Sequence, residues 1–166
     1  MSPSRWLRHL FATPWGLRRA FTPAVQQAIT EAVRQTEGRH AGEIRFVVEG
    51  ALGVPALWRR LTPRQRAAQL FAELKVWDTE HNNGVLIYVL YAERSVEIVA
   101  DRGVGDARVP AAEWQHCAQR MTTHFAGGDF AGGAVAGVQA VAEVLARYPP
   151  ARPDVGNELP DSPVLL

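Results

Sequence analysis

Asp78, Glu80 and Asn82 recur at every second position ahead of Asn83-Gly84. That spacing offers oxygen donors to a hard cation such as calcium. The segment is not an EF-hand loop, because the glycine falls one residue late and Val89 stands where a bidentate glutamate belongs. A second reading is open: a helix end and a turn, with Asn83-Gly84 serving backbone geometry alone. Asp101 and Arg102 follow a later apolar run and supply a further carboxylate and a cation. With calcium or another divalent ion on Asp78, Glu80, Asn82 and Asp101, the segment would be a metal site. Arg102 could bind an anion, or simply pair with a neighbouring acid. His81, beside the acidic turn, would carry the proton or else be a solvated turn residue. Glu43, Glu97 and Asp106 are candidates to orient those ligands from behind. His40 with Glu37 and Glu43 has an approximate ligand spacing, but Gly38 and Gly42 interrupt any helix that would align the three.

These residues share a location only if the intervening elements place them there. Thr22-Pro23 and Thr62-Pro63 each read as an N-cap followed by proline at the first helical position. The first opens a helix reaching Gly38, and the second opens one with Leu70, Phe71 and Leu74 as its core stripe. Residues 44–49 alternate as a strand with one well-buried face. Residues 85–91 are unbroken apolar, as for a central strand covered on both sides. Ala92-Glu93-Arg94 turns into a strand over 95–100, forming a hairpin. Pro110 opens a helix through Phe125, and a last helix runs from Phe130 to about Tyr148. Gly132, Gly133 and Gly137 near its start predict close contact with the sheet.

The order predicts a three-layer α/β/α sandwich. Its mixed sheet combines a right-handed βαβ unit with an antiparallel hairpin. The starts of the first two strands and the end of the third then share one edge, which gathers Glu37, His40, Glu43, residues 78–83, Asp101, Arg102 and Asp106. The opposite edge offers only Glu49, Glu93 and Arg94.

Composition narrows the rest. With 166 residues, 47% of them hydrophobic, the chain is long enough for one core. A net charge of +1 gives no general case for nucleic acid. Cys117 is the only cysteine and lies on an apolar helical stripe, so it reads as a small buried hydrophobe. Walker A, G-x-S-x-G and H-E-x-x-H patterns are absent. No leader of the usual form and no run near the ~20 apolar residues of a membrane span is present, so the expected location is cytoplasmic, with a peripheral membrane position open.

Residues 1–21 form a lead-in of Arg5, Arg8, Arg18 and Arg19 among Trp6, Leu7, Leu10, Phe11, Trp15, Leu17 and Phe21, with no acid before Glu31. It could hold an anionic membrane surface or a membrane-associated protein, or pack on the domain's own flank. The domain itself spans 22–148. From Pro149 onward the chain has little to bury, and 149–166 reads as a disordered tail.

From about Arg66 to Tyr148 the sequence resembles the TPM domain family, described also as TPM phosphatase-like. The carrying residues are Phe71, Trp77, Asn83-Gly84-Val85-Leu86-Ile87, Arg94, Glu97-Ile98, Gly103, Phe125, Gly128-Asp129-Phe130 and Gly133. The resemblance implies a mixed sheet between helices, a divalent ion such as calcium in some members, and the acid phosphatase activity ascribed to a plant member. Asn82 stands where the family usually has an acid, and Asp101-Arg102-Gly103-Val104-Gly105 stands where Gly-x-Gly-x-Glu is common. With no activated nucleophile in view, the preferred reading is a binding or accessory module for a membrane-associated partner. The alternative is a metal-assisted phosphatase.

Overall fold

All seven residues of Gly84–Leu90 are buried, and this strand, β2, is flanked on both sides. The computed structural model describes residues 3–105, 108–149 and 156–166. In chain order the described elements are α1 (Pro3–Phe11), α2 (Pro14–Ala20), α3 (Pro23–Glu37), β1 (Glu43–Glu49), α4 (Val54–Trp58), α5 (Pro63–Glu73), β2, β3 (Ser95–Ala100), α6 (Ala111–Ala126), α7 (Phe130–Arg147) and β4 (Val164–Leu165). A short 3-10 turn, Tyr91–Glu93, joins β2 to β3. The sheet order is β3-β2-β1-β4. β1 and β2 are parallel, with Glu43 opposite Gly84, and β2 and β3 are antiparallel, with Val85 opposite Ala100. The expected sandwich and its shared edge are therefore present.

Both proline-led caps form as the sequence expects. Thr22 accepts from the Val25 N–H, and Thr62 closes a reciprocal capping box with Gln65. Alternation along β2 then feeds two cores. Val85, Ile87 and Val89 join α3, α6 and α7 on one face, while Leu86, Tyr88 and Leu90 join α4 and α5 on the other. β1 differs from its expected single buried face, because Phe46 and Val48 enter the first core and Val47 the second. The contact expected between the α7 glycines and the sheet is also corrected. A Cβ on Gly137 would strike Met121, and one on Gly133 would strike His124 and Phe125, all on α6. These glycines let two helices approach closely.

The C-terminal end departs from expectation, whereas part of the lead-in packs on the domain's flank. Residues 156–166, read as part of a disordered tail, are ordered instead. Val164 and Leu165 pair in parallel with Val47 and Val48, and the Arg45 guanidinium donates to the Pro160 and Ser162 carbonyls, each at 2.7 Å. The lead-in is helical, and its Leu17 and Phe21 are core residues. Among the described residues, no helix is long and apolar enough to cross a membrane.

Candidate functional site

At the shared edge, two loops are fastened to each other through backbone and side chain. The Asp101 N–H donates to the Gly84 carbonyl and the Gly103 N–H to the Asn82 carbonyl, both at 2.8 Å. Gly103 is required for this approach, since a Cβ there would strike the carbonyl oxygens of His81 and Asn82. Gly84 is required likewise, against the Val76 backbone. Asn82 takes a left-handed conformation, φ 52°, which asparagine tolerates better than most residues. Its Oδ1 accepts from Arg102 Nε and Nη2 at 3.1 and 2.9 Å.

The predicted ligands are thus brought near one edge but not into one cage. Asn82 Oδ1 is engaged by a guanidinium. Asp78 and Glu80 are exposed, and no described side chain bonds their carboxylates. Asp101 Oδ1 accepts from the Arg102 N–H at 2.8 Å, while its Oδ2 is buried with no partner among the described residues. The same holds for His81 Nδ1 and Asn83 Oδ1. Among the described residues, no three His, Cys, Asp or Glu side chains converge as metal ligands would.

The orienting candidates also separate. Glu43 is buried and its Oε2 accepts from the Leu159 N–H at 3.1 Å, so it holds the C-terminal segment. Glu97 faces Arg64 of α5 at 4.0 Å; burial raises its pKa, partly offset by that arginine. Asp106 lies outside the described residues. His40 Nδ1 accepts from the Gly42 N–H at 3.2 Å.

The C-terminal segment contributes what the sequence reading missed. Both Glu158 carboxylate oxygens accept from the Glu80 N–H at 3.0 Å. Asn157 bridges Glu37 and Asp161 at 3.0 and 2.7 Å. Burial, then the shared hydrogen bond and charge of Asp161, then the charge of Glu43 push the Glu37 carboxyl up to about 7, against Arg34.

The family model for the TPM domain matches residues 18–144, which include both fastened loops. This chain belongs to the TPM domain family. The NMR structure of BA42 protein from the psychrophilic bacterium Bizionia argentinensis is similar at 30% identity and TM-score 0.74, covering 87% of this chain and 94% of that one. The NMR structure of the N-terminal domain of a P. gingivalis protein shares the fold at 24% identity and TM-score 0.60, with 75% of each chain covered. No protein of curated function matches this chain.

The opposite end of this TPM domain carries a second polar arrangement. Glu93 accepts from Arg5 Nε at 2.8 Å and bonds His9 Nε2 at 2.8 Å, while His9 Nδ1 accepts from the Leu52 N–H at 3.0 Å. With Nδ1 accepting, Nε2 is the ring nitrogen that donates to Glu93. Burial raises the Glu93 carboxyl, but the bonds to His9 and Arg5 outweigh it and hold the group below its ordinary pKa. Nearby, the Tyr88 hydroxyl donates to Glu49 at 2.6 Å, and Arg66 grips the same carboxylate. An edge that reads as sparse in sequence thus docks α1.

That docking turns α1 outward. Arg5, Trp6 and His9 face the protein, while Leu7, Leu10 and Phe11 face solvent, with Phe11 77% exposed. Trp15 on α2 and Trp58 on α4 are exposed as well, Trp58 meeting Trp6 edge-on at 5.7 Å. Arg8, Arg18 and Arg19 are exposed on α1 and α2 without an acidic partner among the described residues, and Arg19 lies over the Trp15 ring. Helical spacing put Leu7, Leu10 and Phe11 on one face. Nothing in the spacing said which face meets water.

Proposed function

We propose that this TPM domain is a binding or accessory module, held at an anionic membrane surface beside its partner through α1 and α2. The observation that carries the reading is the inverted orientation of α1. A soluble helix ordinarily buries its apolar stripe, whereas here the inner side holds Arg5 and His9 beside Trp6, and the outer side holds Leu7, Leu10 and Phe11. Exposed apolar side chains accompanied by exposed arginines on the same two helices suit the boundary between lipid headgroups and acyl chains. The test is co-sedimentation of the full chain with phosphatidylglycerol vesicles and with neutral phosphatidylcholine vesicles. Binding should be selective for the anionic vesicles and weaken as salt rises. It should be lost in Leu10→Ser/Phe11→Ser/Trp15→Ser, which leaves the core residues Leu17 and Phe21 in place. Equal sedimentation of wild type and variant with anionic vesicles would reject the reading.

A second reading, phosphate-ester hydrolysis at the other edge, draws support from Asp101 Oδ2 and His81 Nδ1. Buried polar atoms without partners are uncommon and call for a ligand, water or chemistry. A generic phosphate monoester, assayed with and without divalent ions, tests it. Turnover abolished by Asp101→Asn and His81→Gln would replace the binding-module reading with an enzyme.

A further inference from the structure

Beside the apolar ridge lies a cleft of about 380 Å³ between α1 and the β2–β3 turn. Its walls include Arg8 and Phe11 from α1 and Tyr91 and Arg94 from the turn. We infer that this cleft receives the phosphate monoester headgroup of an anionic lipid, clamped between Arg8 and Arg94, while Phe11 and Leu10 enter the acyl boundary. The inference rests on the membrane-docking reading and adds a defined headgroup site to it.

Charge and placement carry the argument. Glu93 is the acidic residue lining the cleft, and it is already engaged by Arg5 and His9. Arg8 has no side-chain partner among the described residues, and Arg94 makes only a 3.3 Å bond to the Ala126 carbonyl. Two exposed arginines therefore line the cleft, and Glu93 does not consume their charge. Guanidinium forks match phosphate oxygens, and a monoester presents more of them than the diester of phosphatidylglycerol. Phe11 is both a wall of the cleft and part of the exposed ridge, so headgroup and acyl chain of one lipid would be met by continuous surface. Arg94 is also held in position. Its left-handed backbone, φ 49°, ends the 3-10 turn, and its N–H donates to the Tyr91 carbonyl at 3.1 Å.

Arg94 lies about seventy residues from the basic lead-in, which makes the inference separable from simple adsorption of residues 1–21. Full-length protein would be titrated with phosphatidic acid vesicles and with phosphatidylglycerol vesicles matched in surface potential. The expected result is several-fold tighter binding to phosphatidic acid. Arg94→Gln should erase that preference while still binding both vesicles, and Arg8→Gln, on the opposite wall, should do the same. Thermal unfolding of each variant confirms that the fold is intact. Equal wild-type affinity for the two lipids, or a preference that survives in the folded variants, overturns the headgroup site and leaves membrane docking standing. Failure to bind either anionic vesicle overturns both.

Discussion

His9 and Glu93 meet at 2.8 Å with the imidazole almost wholly buried, and this contact fixes the face that α1 turns to solvent. The histidine bridges two distant places, the Leu52 backbone N–H on one side and the β2–β3 turn on the other. Arg5 adds a second bond to the same carboxylate and another, at 2.7 Å, to the Leu61 carbonyl. Polar specificity on the inner side is what leaves the apolar side outward.

Replacing that anchor should therefore cost stability and loosen α1. His9→Ala leaves the Leu52 N–H without its acceptor and removes one partner of Glu93. We expect a loss of about 1–3 kcal/mol, the range for orphaning a buried hydrogen-bonding group. Urea unfolding measures it. A variant as stable as wild type would mean that α1 is not held through His9.

Close approach of α6 and α7 makes a contrasting pair of glycine predictions. Gly137→Ala would drive a methyl into Met121 and should destabilise by about 1–3 kcal/mol, as overpacking does. Gly38 has nothing within 4 Å of an added Cβ and no positive φ. Gly38→Ala should be neutral or stabilising, by up to about 1 kcal/mol. Thermal unfolding of both variants compares them directly, and equal effects would contradict the helix–helix account.

The Glu37–Asp161 contact gives the C-terminal segment a pH dependence. Glu37 titrates near 7 when folded and near 4.5 otherwise, so the folded state holds the extra proton between these values. Its contribution is full below about pH 4.5 and is lost as pH rises through about 7. Above that, ionised Glu37 repels Asp161 and Glu43. Hydrogen exchange at the Leu166 amide, which donates to the Val48 carbonyl, should show protection falling across this window beyond the intrinsic pH effect. Glu37→Gln, mimicking the protonated form, should flatten that fall. An unchanged profile in the variant would assign the titration elsewhere.

With Asn82 Oδ1 held by Arg102 and no three ligating side chains converged among the described residues, calcium and magnesium should not stabilise the fold. Thermal midpoints after chelator treatment should be flat across a titration of either ion. A midpoint that rises with ion concentration, and no longer rises in Asp101→Asn, would show binding to the native state and refute this arrangement.

Much of the fold was legible because its signals are local. The Thr-Pro caps, the apolar run of β2 and the hairpin turn need no distant partner to be recognised, and chain order then fixes the shared edge. What was missed depends on long-range contacts. Val164 and Leu165 are too short a segment to read as a strand, and they order by adding to β1 while Glu158 and Asn157 bond backbone and carboxylates across the acidic edge. The five residues of α4 fall below any useful helical period. At the candidate metal edge, residue types were read but not their partners. Asn82 reads as a ligand in sequence, while in the fold its Oδ1 accepts from Arg102 and Glu97 faces α5.

The central claim, membrane docking through an outward apolar ridge, is tested most directly by the depth of Trp15. Brominated lipids in phosphatidylglycerol vesicles quench only an indole that reaches the acyl region. We predict quenching of the full-length protein's fluorescence that falls in Trp15→Tyr, although Trp6, Trp58, Trp77 and Trp114 remain. Absence of quenching, or quenching that persists undiminished in Trp15→Tyr, would contradict the account.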